Sequence, residues 1–324
     1  VTIVVEGRED KPIECYRLKG NGVDAIAVGD TITVSGSLVN FRGEKVEFNT
    51  GCQLVSYVKE QNGGELDPSD INYVYGSYGS YSSVIKNWGY RSDVATSLSP
   101  KATAFYTGTN TYVELSKLAG NSNLSSVPQS DLYTALQTLM VDKHKNITTY
   151  DGVRYLFAYT DCQKADNTKL SLFYMGTLVD STWDGGTTYN REHTWPKSKL
   201  TNEKSNDGAD IMHIRPTDSD VNSSRGNTAY GESSGYVDPG VSVRGDVARM
   251  ALYMYVRWGN EGTLWGTGGV FESLDVLLKW NAADPVDTWE MGRNDSIQSI
   301  TGARNMFVDY PELAYDLFNR DVPA

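Results

Sequence analysis

Residues 189–198 read Y-N-R-E-H-T-W-P-K-S and contain His193, one of only three histidines in the chain, directly after Glu192. Side chains of adjacent residues in an extended strand point to opposite faces of the sheet. Glu192 and His193 can therefore share one site only where the strand ends or bulges, and the nearby Pro196 favours such an end. The stretch predicts a strand that ends in a site with a carboxylate and an imidazole.

A second polar stretch, G-A-D-I-M-H-I-R-P-T-D-S-D-V-N-S-S-R-G-N, occupies residues 208–227. Carboxylate and amide oxygens suit Mg²⁺, Mn²⁺ or Ca²⁺ better than they select zinc. A neutral imidazole accepts a proton from water near pH 7, and a guanidinium can bind a phosphate through two hydrogen bonds. Together the two stretches hold the groups that phosphodiester hydrolysis needs. The candidates in the second stretch are Asp210, His213, Arg215, Asn222 and Arg225.

The segments around these stretches carry patterns of both helices and strands. Residues 170–178 predict a strand, and apolar residues recur at helical spacing from residue 131, after Ser130 as a candidate N-cap. Later helices are predicted over residues 246–258, 271–279 and 286–300. By contrast, residues 1 to about 60 alternate with a period of two, as half-buried strands do. The sequence therefore predicts an α+β protein with an all-β N-terminal part.

Length and charge limit the function classes. The chain has 324 residues, and such a length favours two domains because a domain usually holds about 100–200 residues. It carries 41 acidic and 29 basic residues, a net charge of −12, which by itself repels a polyanion. Nucleic-acid binding would then require a local basic cluster or a bound cation. No stretch approaches the roughly 18 apolar residues of a membrane helix, so we expect no membrane span.

The cysteines and one histidine give weaker signals. Three cysteines are too few for a scaffold built on disulfides, and no C-x-x-C pair indicates zinc. Cys15 and Cys52 fall in one predicted domain and are a candidate pair, which would leave Cys162 over. His144 stands among charged residues and is predicted to be solvated.

Four motifs stand in the order R-E-H-x-W-P-K-S, D-x-x-H-I-R-P-T-D, V-N-S-S-R-G-N and R-N-x-F-V-D-Y-P-E. They resemble, in order, the motifs of the endonuclease I family of secreted bacterial nucleases, which belongs to the ββα-metal, or His-Me finger, group. The resemblance spans about residues 131–320. It implies a mainly helical ββα-metal domain over residues 131–324 that hydrolyses DNA, RNA or both with little sequence preference. It also implies 5′-phosphate ends and one divalent cation, Mg²⁺ before Mn²⁺ or Ca²⁺.

The resemblance assigns the central roles by motif position. His193 corresponds to the general base that activates water. Glu192, which precedes it, and Asn222 of the V-N motif correspond to the metal ligands. Met212 stands where family members often have a second histidine, and T-G-A-R-N-M-F at 301–307 stands where they often have Q-G-N-R-N-P-F. These departures concern the surroundings of the site rather than its expected ligands.

The remaining candidates have open roles. The family's phosphate-stabilising arginine lies in a variable loop, so Arg215 and Arg225 are both candidates for substrate binding. Asp210 and His213 are candidates for supporting the site, and a purely structural role is the alternative for each. Arg191 is expected to pair with a nearby carboxylate, with a phosphate contact as the alternative.

The N-terminal part carries a second resemblance. Residues 16–22, Y-R-L-K-G-N-G, and 28–41, V-G-D-T-I-T-V-S-G-S-L-V-N-F, are similar to the OB-fold modules that precede secreted bacterial nucleases. This implies a small OB-like barrel over residues 1–60, without its first one or two strands. Its role would be either to bind nucleic acid or to act as a spacer or adhesion module. Residues 61–130 are rich in Tyr, Gly and Ser and are interpreted as a linker or extension.

Two classes of function remain open at this point. The first is a secreted metal-dependent endonuclease whose export signal has been removed, with nucleic acid as its partner and no obligate protein partner. The second is a catalytically inactive extracellular protein that binds nucleic acid or glycans, or acts in adhesion. The presence of Glu192, His193 and Asn222 favours the enzyme.

Overall fold

The computed structural model describes residues 1–4, 12–20, 23, 26, 31–41, 45–58, 93–106, 115, 130–163, 166–259 and 263–322. The chain divides into two compact units, Val1–Gly64 and Glu65–Ala324. Most of the extension predicted over residues 61–130 lies outside the described residues. The linker interpretation therefore stays a prediction.

The first unit consists of short strands. They are β1 (Thr2–Ile3), β2 (Ile13–Cys15), β3 (Thr31–Ser35), β4 (Leu38–Phe41), β5 (Lys45–Phe48) and β6 (Gln53–Val58). They form one sheet in the order β1-β2-β5-β4 and a second sheet of β3 and β6. The strand prediction for this unit is confirmed. The described strands do not close into a barrel, so the OB-like barrel stays a prediction.

Gly36 lies between strands β3 and β4. A side chain there would place its Cβ 2.8 Å from the Cβ of Cys52, so the close approach of the two segments requires glycine. Cys15 and Cys52 are both buried and both are free thiols in this structure. Burial raises the pKa of Cys15, and the neighbouring Cys52 adds to this effect. The two thiols are therefore close, while the candidate disulfide between them stays a prediction.

The second unit combines helices with two small sheets, which confirms the α+β class. Its helices are α1 (Pro100–Tyr106), α2 (Ser130–Lys143), α3 (Val153–Thr160), α4 (Ser219–Arg225), α5 (Arg244–Trp258), α6 (Leu274–Ala283), α7 (Thr288–Thr301), α8 (Met306–Asp309) and α9 (Leu313–Phe318). Its strands are β7 (Cys162–Gln163), β8 (Asp166–Ser171), β9 (Leu178–Asp180), β10 (Tyr189–His193) and β11 (Ile214–Asp218). The first three strands form one antiparallel sheet, and β10 and β11 form the other.

Helix α5 lies at the centre of this unit. Most of its residues are buried, and it packs against α2, α6 and α8. A helix that is buried on nearly all sides belongs to a protein core. The prediction of a helix over residues 246–258 is confirmed. None of the described helices is both long and apolar enough to cross a membrane.

Two later helices begin after their predicted starts because N-caps fix them. Helix α6 begins after Ser273, whose hydroxyl accepts a hydrogen bond from the backbone N–H three residues on. Helix α7 begins after Asp287, whose carboxylate does the same. Such caps satisfy backbone donors that have no partner inside the helix. The helix starts at residues 271 and 286 were therefore predicted too early.

The single strand predicted over residues 170–178 is wrong in its middle. Strand β8 ends at Ser171, and a turn follows in which the N–H of Gly176 donates to the carbonyl of Leu172. Gly176 has a φ of +64°, a conformation that favours glycine. The turn includes Tyr174, whose hydroxyl reaches the functional site.

Candidate functional site

Strands β10 and β11 and helix α4 form one continuous strand–strand–helix unit. The strands are antiparallel and pair from Tyr189 with Asp218 to His193 with Ile214. Helix α4 begins directly after β11, because the Asp218 carboxylate accepts hydrogen bonds from the first free N–H groups of the helix. The helix packs against both strands. Strand β10 ends at His193. This is the strand end that Glu192 and His193 would need in order to share one site.

Asn222 attaches α4 to the backbone next to Glu192. Its Nδ2 donates to the carbonyl oxygen of Arg191 at 3.3 Å and to the side-chain oxygen of Asn190. These bonds occupy the amide nitrogen of Asn222 and leave its amide oxygen for another ligand. The structure therefore brings Asn222 to the strand end that carries Glu192 and His193.

Arg225, one turn further along α4, makes the second attachment. Its two terminal nitrogens donate to the carbonyl oxygens of His193, at 3.1 Å, and Thr194, at 3.0 Å. The same guanidinium lies 3.4 Å from the Glu192 carboxylate. Its central carbon lies 4.6 Å from the ring centroid of Tyr230. Arg225 thus fixes both the strand end and the carboxylate.

The Glu192 carboxylate is only 1% exposed, and its two oxygens differ. Oε1 accepts hydrogen bonds from the hydroxyls of Tyr174 and Tyr230 and contacts Arg225. Oε2 has no hydrogen-bond partner among the described residues. Burial raises the pKa of Glu192 above its usual value, although Arg225 acts in the opposite direction. A buried carboxylate with an unused oxygen is suited to bind a cation. The positive charge of the cation offsets the cost of burying the negative charge of the carboxylate.

His193 is 4% exposed and is held by contacts on several sides. Its Nε2 lies 3.1 Å from the carbonyl oxygen of Gly208, which accepts a hydrogen bond from the ring. The ring stacks on Tyr150 with centroids 5.9 Å apart and meets the His213 ring edge to face at 5.3 Å. Burial lowers the pKa of His193 to about 3, and His213 contributes to this shift. The imidazole is therefore neutral at pH 7, which is the form that accepts a proton.

A 3₁₀ turn at Asn206–Ala209 orients both histidines. The carbonyl of Gly208 contacts His193, and the preceding carbonyl, of Asp207, contacts Nε2 of His213 at 2.8 Å. A Cβ on Gly208 would lie 1.9 Å from the carbonyl oxygen of Asn202, so the turn can pack here only with glycine. The close packing fixes the position of the carbonyl that holds His193.

Comparison with known proteins shows the family of this chain. Residues 107–236 and 232–312 match the family model described as Endonuclease I. The chain belongs to the endonuclease I family. Nucleic acid is therefore its class of substrate. The strand–strand–helix unit lies within the matched residues, whereas the first unit lies outside them.

Two curated relatives support membership of the endonuclease I family. An extracellular ribonuclease of Bacillus amyloliquefaciens is 34% identical over 215 residues, which cover 57% of this chain and 74% of the relative. An extracellular ribonuclease of Bacillus subtilis (strain 168) is 35% identical over 197 residues, which cover 52% and 68%. The family predicted from the four ordered motifs is thus confirmed.

Two candidates for supporting the endonuclease I site, Asp210 and His213, are buried beside it. The Asp210 carboxylate accepts hydrogen bonds from the hydroxyl of Tyr253, at 3.0 Å, and the indole N–H of Trp258, at 3.1 Å. His213 is fully buried, and burial lowers its pKa to about 4. It contacts His193 through its ring. Both residues are buried, and His213 contacts His193, so they can hold the site residues in position. These supporting roles stay predictions.

The two arginines predicted to bind substrate are both interior. Arg215 pairs with Glu192 in strand register, but its guanidinium forms ion pairs with Asp161, at 2.6 Å, and Asp246, at 3.6 Å. It is 1% exposed, and Arg225 is 4% exposed. Binding of a phosphate by Arg215 would require breaking buried ion pairs, which is costly. The geometry of both arginines favours a structural role, and their substrate roles stay predictions.

Several residues near the site were missed or misjudged from the sequence. Tyr174 and Tyr230 contact Glu192 but stand far from it in sequence, and no periodic pattern connects them. His144 was predicted to be solvated, and this is wrong. Its ring is buried, and Nδ1 accepts a hydrogen bond from Nε of Arg257 at 3.2 Å. Its charged neighbours in the sequence gave no sign of this tertiary partner.

Proposed function

We propose that this protein is a secreted, metal-dependent endonuclease that hydrolyses phosphodiester bonds of DNA, RNA or both with little sequence preference, leaving 5′-phosphate ends. One observation carries the proposal: a buried carboxylate with an unused oxygen, that of Glu192, immediately precedes the residue with the neutral imidazole, His193, at the end of one strand. Secretion is supported by the names of the two relatives, which are both extracellular ribonucleases.

The donor set fits one divalent cation, Mg²⁺ first, with Mn²⁺ or Ca²⁺ as alternatives. Glu192 Oε2 and the amide oxygen of Asn222 are hard oxygen donors of the kind these ions prefer. No group of three or more His, Cys, Asp and Glu side chains suited to a metal occurs in the described ranges. Two protein donors suffice for Mg²⁺, which usually keeps several waters and also binds substrate phosphate. Such a cation would offset the negative charge that develops on the phosphoryl and leaving oxygens.

His193 supplies the base in this proposal. Its neutral ring accepts a proton from the water that attacks phosphorus, a contribution on the order of 10²–10⁴-fold. The resulting imidazolium is stabilised by the Gly208 carbonyl, which already accepts a hydrogen bond from Nε2. The negative charge of a bound phosphate would raise the pKa of the ring from its low value in the free protein.

Arg225 and the tyrosines position the carboxylate. Tyr174, Tyr230 and Arg225 all bind the same oxygen of Glu192, so the other oxygen keeps a fixed direction. Arg225 also donates hydrogen bonds to the carbonyl oxygens of His193 and Thr194. One guanidinium therefore fixes the position of the Glu192 carboxylate relative to the end of β10.

The proposal is tested by cleavage of plasmid DNA and of RNA with and without EDTA. We expect cleavage of at least one nucleic acid by the wild type, loss of this cleavage on chelation, and its loss in His193→Ala. Lys169→Ala is the control, because this exposed lysine of β8 pairs with Asp180 at 3.8 Å in the other sheet, and the variant should retain cleavage. Circular dichroism checks folding. Cleavage by folded His193→Ala would contradict the role of His193, and no cleavage with any metal would favour an inactive binding protein.

A further inference from the structure

Four basic side chains gather around two aromatic rings close to His193. We call Tyr150, Trp183, Arg154, Arg191, Lys197 and Lys204 the Tyr150 surface. The guanidinium carbon of Arg191 lies 3.8 Å from the centroid of the Tyr150 ring. The amino groups of Lys197 and Lys204 lie 4.9 Å and 5.8 Å from the same centroid. The fourth cation, Arg154, lies over Trp183 at 5.4 Å.

The Tyr150 surface adjoins the proposed base and metal ligand. The Tyr150 ring stacks on His193 with centroids 5.9 Å apart. Arg191 directly precedes Glu192, and Asn222 binds the Arg191 carbonyl. A nucleic-acid strand whose scissile phosphate lies beside His193 would therefore extend past these cations.

The cations of this surface are weakly neutralised. Arg191 lies 3.2 Å from Asp151, and Lys197 lies 3.8 Å from Glu203. Both carboxylates are exposed, at 64% and 63%, so solvent screens them, while the Arg191 and Lys197 side chains are 13% and 30% exposed. In the protein interior, by contrast, arginines pair with buried carboxylates at 2.6 Å, as in Arg215–Asp161, Arg249–Glu290 and Arg304–Asp309.

The Arg191 guanidinium is also oriented in advance of ligand binding. One of its terminal nitrogens donates to the carbonyl oxygen of Tyr150 at 2.6 Å, and its guanidinium lies over the rings of Tyr150 and Trp183. Its Nε and other terminal nitrogen have no hydrogen-bond partner within the described part of the chain. A guanidinium oriented in advance loses little conformational entropy when it binds a phosphate.

We infer that Arg191, Lys197 and Lys204 bind the phosphates that neighbour the scissile phosphate along the same nucleic-acid strand. Tyr150 and Trp183 hold Arg191 in position for this contact. The inference rests on the proposed function. Contacts of this kind carry no base sequence. They provide the local basic cluster that a protein with a net charge of −12 requires to bind a polyanion.

The test measures binding separately from cleavage. Fluorescence anisotropy of a short labelled single-stranded DNA, and of the matching RNA, is recorded in EDTA over a series of salt concentrations. Each phosphate contact on a single strand contributes about 0.7 to the slope of log K against log salt. The double variant Lys197→Gln/Lys204→Gln should therefore reduce the slope by about 1.4. In cleavage assays of the same variant, KM should rise more than kcat falls.

Three further variants separate charge from structure. Lys197→Arg/Lys204→Arg should keep the wild-type slope. Arg191→Lys should weaken binding, because lysine cannot reproduce the planar contacts of the guanidinium with the two rings. Lys101→Gln is the matched control, because it removes a lysine in α1, the helix in which Tyr106 contacts Asp309. It should bind as the wild type does.

An unchanged slope in Lys197→Gln/Lys204→Gln, or no binding by the wild type even at low salt, would overturn the inference. The outcome is distinguishable from failure of the proposed function. If the wild type cleaves neither nucleic acid but the double variant still loses the expected slope, the enzyme proposal fails and the binding surface stands.

Discussion

Two buried carboxylates in the second unit have opposite surroundings. Asp161 uses both of its oxygens: it accepts hydrogen bonds from Arg215 at 2.6 Å, Arg293 at 3.2 Å and the Thr160 hydroxyl at 2.7 Å. Glu192 is as deeply buried, but all of its contacts fall on one oxygen. The first carboxylate is fully compensated inside the protein, and the second is not.

This difference separates a structural charge from a functional one. Completing the shell of a buried charge stabilises one arrangement of the chain, as at Asp161. One oxygen of Glu192 has no partner among the described residues, so it is available to a ligand that completes the shell. Substitutions at the two positions should therefore affect different properties of the protein.

The largest expected effect is on catalysis, in Glu192→Gln. The amide keeps the shape of the side chain but removes the charge proposed to hold the cation. Because a metal contributes several kcal/mol to the transition state, cleavage should fall on the order of 10³-fold. Initial rates on DNA and RNA at several metal concentrations measure this. A Glu192→Gln variant with wild-type rates would remove Glu192 from the metal site.

The second expected effect is on stability, in Asp161→Asn. This change removes the carboxylate that Arg215 and Arg293 share and leaves Arg215 with only the longer pair to Asp246, which should reduce the free energy of unfolding by about 3 kcal/mol. Urea denaturation measures the loss. Asp151→Asn is the control, because its ion pairs are exposed and should contribute less than about 1 kcal/mol. Equal losses in both variants would contradict the contrast drawn between the two carboxylates.

The third expected effect is on the position of His193, in Gly208→Ala. The new Cβ would collide with the Asn202 carbonyl and displace the carbonyl that holds the imidazole. A misplacement of about 1 Å can cost on the order of 10²-fold in rate, so kcat should fall by about that factor. Ser205→Ala serves as the control, because this exposed side chain makes no capping bond in the same turn. Wild-type kcat in Gly208→Ala would show that this carbonyl does not position the base.

The smallest expected effect is the pH dependence of stability due to His213. Burial lowers its pKa to about 4 from the ordinary histidine value of about 6.5, so the folded state disfavours its protonation. Stability is therefore lost as the pH falls from above 6.5 towards 4. Between pH 7 and pH 5 the loss should be about 2 kcal/mol. Urea unfolding of the wild type and of His213→Gln at both pH values measures it, and equal pH dependence in the two proteins would contradict this origin.

The sequence predicts the site better than its surroundings. Glu192, His193 and Asn222 could be named as candidates because a strand end, a histidine and ordered motifs are local features, and their roles stay predictions. The contacts of Tyr174 and Tyr230 with Glu192 depend on tertiary packing, which no local pattern reports. The turn through residues 172–176 was missed because its apolar residues suit a strand as well as a buried turn.

The arginines illustrate the same limit. Arg215 is a good phosphate ligand by residue type, yet the fold places it between Asp161 and Asp246. Arg191 gave only an ambiguous signal, because the rings that orient it come from distant segments. Residue type indicates what a side chain can bind, whereas burial and partners decide whether it is available.

The direct passage from β11 into α4 makes the site sensitive to chain length at one point. Asn222 and Arg225 both reach β10 from the same face of this short helix. One residue inserted after Asp218 would rotate that face by about 100°, since an α-helix has 3.6 residues per turn. Both attachments would then be lost together. The junction can accept changes of side chain far more easily than changes of spacing.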